Sequence, residues 1–517
     1  MTTHADPAGE TAIAGAPAQQ VSFFIPDKAD LWLACVSFIL GFLFMRWVFF
    51  TWQGWGVAFF TVLFIAVVLF YLRQKGKSMA GETWFWFAIL LLTALSFALW
   101  PGHGVFLWRG LLLLGAAIYW VRMAAGATLC GKTSDWLPLD LPSAIFYTPL
   151  KSLSAQYSSL AVVGKKQRVT ASKLWPIVLG VLLAAVVISV VGPLLLRADA
   201  GGFALLLRNL QPQLERLGRI DFLLLIQMVL AIPAAAYIFG LLAGSIHDRR
   251  VDLHIAESFV KPLRKLPAAT AVTLLLLLNG LYVVFIASQL PYFFSAFRGA
   301  VPPGWESYAE FARRGFFELC VIAVLNIIIL AGTHIGVEIA QRRSAALRAL
   351  SSLLATLTLV LIATAFSKLA LYIGIFGLTT QRLLPGVFLI FLAVVFIGVI
   401  VRQRRQFSIM RLTAFTGAAL LCLLCVVNTD ALVANYNANR YLAGTLEEFD
   451  TTVLYRAGTA GISAAFLLYE QSDNHRLRQE LYSYFTYIGR ESMAGAGTLR
   501  DTLQDSLARR KIIAEQK

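Results

Sequence analysis

Apolar residues in this chain come in long blocks, and polar residues are largely confined to the gaps between them. Eleven blocks reach the length of a membrane-crossing helix, near residues 29–50, 53–72, 83–100, 103–122, 173–196, 221–244, 269–290, 316–337, 350–372, 383–401 and 411–430. A helix rises ~1.5 Å per residue, so ~20 apolar residues are needed to cover the ~30 Å hydrocarbon layer. The pattern therefore predicts an all-α, polytopic transmembrane helix bundle of about eleven spans, between ten and twelve.

Lys and Arg crowd into alternate gaps. Those after spans two, four, six, eight and ten hold twenty of them, counting Arg411 at the edge of span eleven, and those after spans one, three, five, seven and nine hold eight. Cytoplasmic loops retain cations during insertion, so the N-terminus is predicted cytoplasmic and, with eleven spans, the residues after 430 lie outside. The stretch Val453–Tyr469 is short and is interrupted by Arg456 and three glycines, which predicts a packed or interfacial helix instead of a twelfth span. From His475 to Lys517, apolar and charged residues alternate at helical spacing, predicting amphipathic helix.

These signals divide the chain into a disordered cytoplasmic tail (1–28), a four-helix membrane part (29–122), a basic cytoplasmic connector (123–172), a seven-helix membrane part (173–430) and a soluble or interfacial helical region (431–517). The tail lacks the basic start and short apolar core of a cleavable signal peptide. No internal repeat relates the two membrane parts, which argues against an inverted-repeat transporter.

Composition changes the picture in one respect. With 58% hydrophobic residues, 14% charged residues and a mean hydropathy of +0.72, the chain needs a bilayer as solvent. The net charge of +16 is spread over short loops, so it reads as a topology signal and not as a nucleic-acid surface. Cys422 and Cys425 lie inside an apolar run with no second pair or histidine partner, which predicts apolar filling and no metal site.

Polar groups in hydrocarbon need a partner or a cavity, so they are the first candidates for chemistry. Asn279 and Asn326 fall near the middles of spans seven and eight, at depths where the two amides face one another across an antiparallel pair. Gln227 and Arg109 lie about two turns in from the outer ends of spans six and four. The arginine is expected either to snorkel outward or to hold an ion or ligand. Arg313, Arg314, Glu318, Lys368 and Arg382 collect on the side where the charge rule expects few cations, which points to an anionic ligand or to internal salt bridges. His334 and Glu338 share a helix face, but two ligands are too few for a metal. Phosphate-loop, nucleophile-elbow and zinc-helix motifs are absent.

Three stretches carry a resemblance. They are NGLYVVFIASQLPYFFSAFRGAVPPGWESYAEFARRGFFELCVIAVLN from Asn279 to Asn326, KLALYIGIFGLTTQRL from Lys368 to Leu383, and NTDALVANYNANRYL from Asn428 to Leu442. Together they resemble a family of bacterial polytopic membrane proteins known as a domain of unknown function, number forty-one seventy-three, over roughly residues 170–445. The resemblance implies a bacterial inner-membrane protein and carries no activity, substrate or cofactor.

Two functional readings follow. One is transport or handling of a small or lipid-like anionic ligand in the outer half of the membrane, with Arg109, Arg313, Arg314, Glu318, Lys368 and Arg382 as the candidate site. The alternative is a signalling or assembly subunit without catalysis, engaging a protein through its cytoplasmic loops or C-terminal helices. Membrane lipids are the expected partners in both, and no cofactor is called for. An enzyme would need clustered carboxylates or histidines, of which the sequence supplies few.

Overall fold

A computed structural model describes residues 26–161, 180, 222–247, 253–297, 316–338, 341, 344–494 and 496–515. The predicted fifth span apart from Gly180, the first 25 residues of the tail, and Arg313 and Arg314 lie outside them. The described residues are helical, with no strand and a single isolated bridge between Leu266 and Val337.

Ten apolar helices match the other ten predicted blocks. They are α1 (Lys28–Leu43, continued by a π-turn to Phe49), α2 (Trp55–Gln74), α3 (Thr83–Leu99) and α4 (Phe106–Ala124), then, after two shorter helices α5 (Leu137–Pro142) and α6 (Thr148–Ala161), α7 (Phe222–Ile246). A short α8 (Leu253–Val260) precedes α9 (Ala268–Phe297), α10 (Phe316–Gly336), α11 (Ala345–Phe376), α12 (Thr380–Arg402) and α13 (Ile409–Val426). Among the described residues nine stretches are long and apolar enough to span, and α3 is slightly shorter at 17 residues. Five helices follow: α14 (Thr429–Leu442), α15 (Thr452–Ala457), α16 (Ile462–Gln471), α17 (His475–Ala494) and α18 (Leu503–Glu515).

Packing groups these helices differently from their order in the chain. One core joins α1 to α4 with α6, α7 and α13. It is rich in large rings such as Tyr71, Trp86, Phe97, Tyr119 and Trp120, and it takes in Cys422 and Cys425 as small apolar filling. A second core joins α9 to α12 and is built from Leu, Ile and Ala. The third is the compact C-terminal unit, where Leu454, Leu468, Leu481 and Tyr484 are fully buried, so Val453–Tyr469 is a packed helix pair as predicted.

Close approach explains the tightest contact of the first core. A Cβ added at Gly41 of α1 would lie 2.5 Å from the carbonyl of Ala231 and 2.9 Å from the Cβ of Ala235 on α7. Small residues let helix backbones touch where lipid supplies no hydrophobic drive for association.

The hydrogen bonds sort the loops into two polar layers. In one layer, Trp55 and Gly56 at the start of α2 donate backbone amides to Asp501 and Leu499, Trp100 Nε1 donates to the Val426 carbonyl at 2.8 Å, and Asn437 exchanges two 2.7 Å bonds with the backbone of Leu378. The gaps after predicted spans one, three, nine and eleven thus meet under the C-terminal unit. In the other layer, Lys75 pairs with Asp27 at 2.7 Å, Arg411 with Glu82 at 3.0 Å and Arg402 with Asp135 at 3.2 Å. That layer holds the N-terminal end of α1 and the gaps after spans two, four and ten.

Candidate functional site

Arg109 is fully buried in the first layer and does not snorkel. Its guanidinium donates to the carbonyls of Ser96, Trp100 and Pro101 at 3.3, 3.0 and 2.6 Å and lies 4.0 Å over the Phe97 ring. A helix end leaves carbonyls without intrahelical partners, and here Arg109 satisfies those at the end of α3. Arg382 does the same for α11, donating to Phe376 and Gly377 at 2.8 and 2.5 Å with its plane 4.3 Å over Tyr372. Both cations are held by backbone carbonyls, one in each membrane core, at the layer that holds the C-terminal unit.

The predicted cationic group is therefore not one site. Arg109 belongs to the first core, while Glu318 and Lys368 belong to helices of the second, within electrostatic reach of each other. What Arg109 shares a neighbourhood with is Asp430, a buried carboxylate at the start of α14 that accepts the Gly104 amide at 3.4 Å. Burial pushes the Asp430 carboxyl up from its ordinary value, opposed by the Gly104 and His103 amides and by the charge of Arg109. This carboxylate ties the C-terminal unit to the first turn of the fourth span.

The amides of spans seven and eight do not bond to each other. Asn279 Nδ2 donates to the Leu350 carbonyl at 3.0 Å, and Asn326 accepts from Tyr282 at 2.8 Å and donates to Thr358 at 2.9 Å. Asn326 thus clips α10 between α9 and α11, because the third helix and not the antiparallel neighbour supplies the acceptor. Gln227 is buried on α7. His334 faces Arg402 at 3.0 Å, and no group of three metal-ligating side chains occurs among the described residues.

Beside Lys368 the second core leaves a groove of about 620 Å³ between α11 and α12. Its walls include Ile362, Phe366, Ala370, Leu371, Ile390 and Ala393. Ser367 lines it, Lys368 follows directly, and Tyr372, one turn on, carries the Arg382 guanidinium. The lining is apolar apart from Ser367, and Lys368 and the Tyr372–Arg382 pair lie next to it along the chain without lining it.

The densest ionisable cluster was not legible in the sequence. Asp30, fully buried at the start of α1, accepts from Tyr71 Oη at 2.5 Å, Lys75 Nζ at 3.0 Å and His247 Nε2 at 3.1 Å. It also closes a capping box with Asp27. Asp30 and His247 are 217 residues apart, so no local motif announces them.

Ten apolar helices, two polar layers and ionisable groups held only in partnership define a multi-pass integral membrane protein. The chain belongs to the family described as Domain of unknown function (DUF4153), whose model matches residues 17–465. That match extends over the first four spans, which the three resembling stretches did not reach, and its number differs from forty-one seventy-three. No curated protein and no solved structure matches the chain.

Proposed function

We propose that this is a bacterial inner-membrane protein that handles a lipid-like anionic ligand, with its N-terminus and its cation-rich loops in the cytoplasm. The observation that carries the reading is the groove of about 620 Å³ between α11 and α12, lined by apolar residues and Ser367, with Lys368 adjacent in sequence and Arg382 stacked on Tyr372 just beyond its last α11 residue, Leu371. An acyl chain fits the apolar trough, and an anionic headgroup suits a lysine beside a stacked guanidinium. The twenty-to-eight division of Lys and Arg between alternate gaps supports the orientation, which puts Lys368 and Arg382 on the outer face.

Native mass spectrometry of the protein released from mixed phosphatidylglycerol and phosphatidylethanolamine nanodiscs tests this. The wild type is expected to retain phosphatidylglycerol, and Lys368→Gln and the groove-filling Ala370→Phe are each expected to lose it while keeping the wild-type melting temperature. Equal retention of the two lipids by the wild type, or full retention of phosphatidylglycerol by Ala370→Phe, sinks the reading. Reporter fusions at Gly76 and Lys517 that report the same side sink the orientation.

A further inference from the structure

Helix α6 turns its polar side inward. Thr148, Ser152, Gln156 and Ser159 recur at intervals of four, four and three residues, which places them on one helical face, and all four are buried against the bundle. Its outward positions include Leu150, 49% exposed. The buried side therefore carries four polar residues beside Leu153 and Ala155, where a surface helix usually turns an apolar stripe to the core.

The helix lies within the membrane bundle. Tyr237 of α7 donates to the carbonyl of Ile145, just before α6, at 3.0 Å. A Cβ added at Gly240 would meet the Pro149 carbonyl at 2.5 Å, and one at Gly244 would meet Ser152 Oγ at 2.6 Å. Tyr237 is ten residues from His247, so the start of α6 sits ~15 Å in from the layer that holds Asp30, and the helix climbs back toward that layer.

Among the described residues, three polar atoms along this seam have no protein partner. Gln156 Nε2 donates to Ser37 Oγ at 2.8 Å and to the Ala34 carbonyl at 3.2 Å, but Gln156 Oε1 is bonded to nothing. Ser152 Oγ and Ser245 Oγ are likewise buried without a partner. Buried polar groups left unmade are costly, and in membrane-spanning helices they line water-filled cavities.

We propose that α1, α6 and α7 enclose an internal water site, bounded by Ser37, Ser152, Gln156 and Ser245, that hydrates the bundle one to two turns beneath the Asp30–His247 cluster. Water supplies both the donor that Gln156 Oε1 lacks and the acceptors or donors that the two hydroxyls lack, at the two to four bonds a buried water makes. The seam closes toward the opposite face at Gly41, where the α1 and α7 backbones touch. It is therefore an enclosed site and not a through-channel.

Water-edited solid-state NMR of the full chain in bilayers tests the site, with Ser152→Ala, Ser245→Ala and Gln156→Leu assigning the signals. Polarisation transfer from water to the Gln156 and Ser152 side chains is expected at rates within about threefold of His247, a partly exposed neighbour, and well above Leu33 in the dry core. Transfer no faster than to Leu33 overturns the proposal. Thermal melting gives a second reading with its own sign. In a dry seam the double variant Ser152→Ala with Ser245→Ala removes two unpaired hydroxyls and raises the melting temperature, which overturns the proposal; in a hydrated seam it lowers it.

Discussion

The two membrane cores are built from different materials. In the first, 61% of the spanning window of α2 is buried within the protein, and its interior contains Asp30, Arg109, Arg122, Asp140 and Gln156 at zero exposure. In the second, 17% of the α9 window is buried, and the buried polar groups are the neutral Asn279, Asn326, Thr333 and Thr358. Charge inside a bilayer survives only where a protein shell supplies partners, so ionisable chemistry concentrates in the thick core. The thin core leaves more of its helix surface uncovered by protein, and the groove between α11 and α12 opens there.

Removing a partner should therefore cost most in the first core. Asp30→Ala strands the Tyr71, Lys75 and His247 donors together, and breaking a buried ion pair typically costs ~3–5 kcal/mol. The melting temperature in detergent should fall further than for any single change in the second core. A smaller effect is expected of Arg109→Leu, which leaves the Trp100 and Pro101 carbonyls after α3 without donors, while Ser96 keeps the Trp100 amide, at roughly 1–3 kcal/mol for each unsatisfied group. If Arg109→Lys melts like the wild type, the fork of guanidinium bonds is not what holds the end of α3.

For the second core, Asn326→Leu should cost only ~0.6–1.7 kcal/mol, the range measured for hydrogen bonds between membrane helices. A loss matching that of Asp30→Ala would erase the contrast between the cores. In the C-terminal unit, Tyr484→Phe removes a 2.7 Å bond to the Gly458 carbonyl inside a fully buried site, at about 1–3 kcal/mol. It should lower the C-terminal unit's stability, read by proteolysis, while the membrane cores melt unchanged.

The smallest effect concerns pH. Burial raises the folded-state pKa of Asp430 above its unfolded value, so its charge destabilises the fold at neutral pH and that cost lifts as pH falls through the raised value. Asp430→Asn should remove this part of the pH dependence between neutral and mildly acid pH, and an unchanged slope of melting temperature against pH would show that the Gly104 and His103 amides compensate the charge in full.

Much of the frame was readable in advance, and the errors have a common cause. Predicted 29–50 became Lys28–Phe49 and predicted 316–337 became Phe316–Gly336, but 269–290 grew to Ala268–Phe297 and 350–372 to Ala345–Phe376. The added C-terminal residues, PYFFSAF and IGIF, are mainly apolar, so the blocks were cut short by span length and by Pro291 and Gly374, whereas a helix continues as long as its backbone bonds are met. The same scan passed over α6 because TPLKSLSAQYSSLA is too short and too polar to register as a span, and its buried polar face has meaning only against α1 and α7. Arg109 and Lys368 shared a predicted depth but not a core, because depth is a one-dimensional property and proximity is not.

By itself the sequence determined that this chain crosses a membrane many times, close to where, and with which loops charged. Transfer of apolar residues into hydrocarbon is local and nearly additive along the chain, so a window of ~20 residues contains the answer. Only the tertiary structure decided that α13 joins the first core, that Asp30 finds His247, and that Gln156 faces inward. Those outcomes depend on which helices meet, since a buried charge or amide is stable only beside partners that lie far away in sequence.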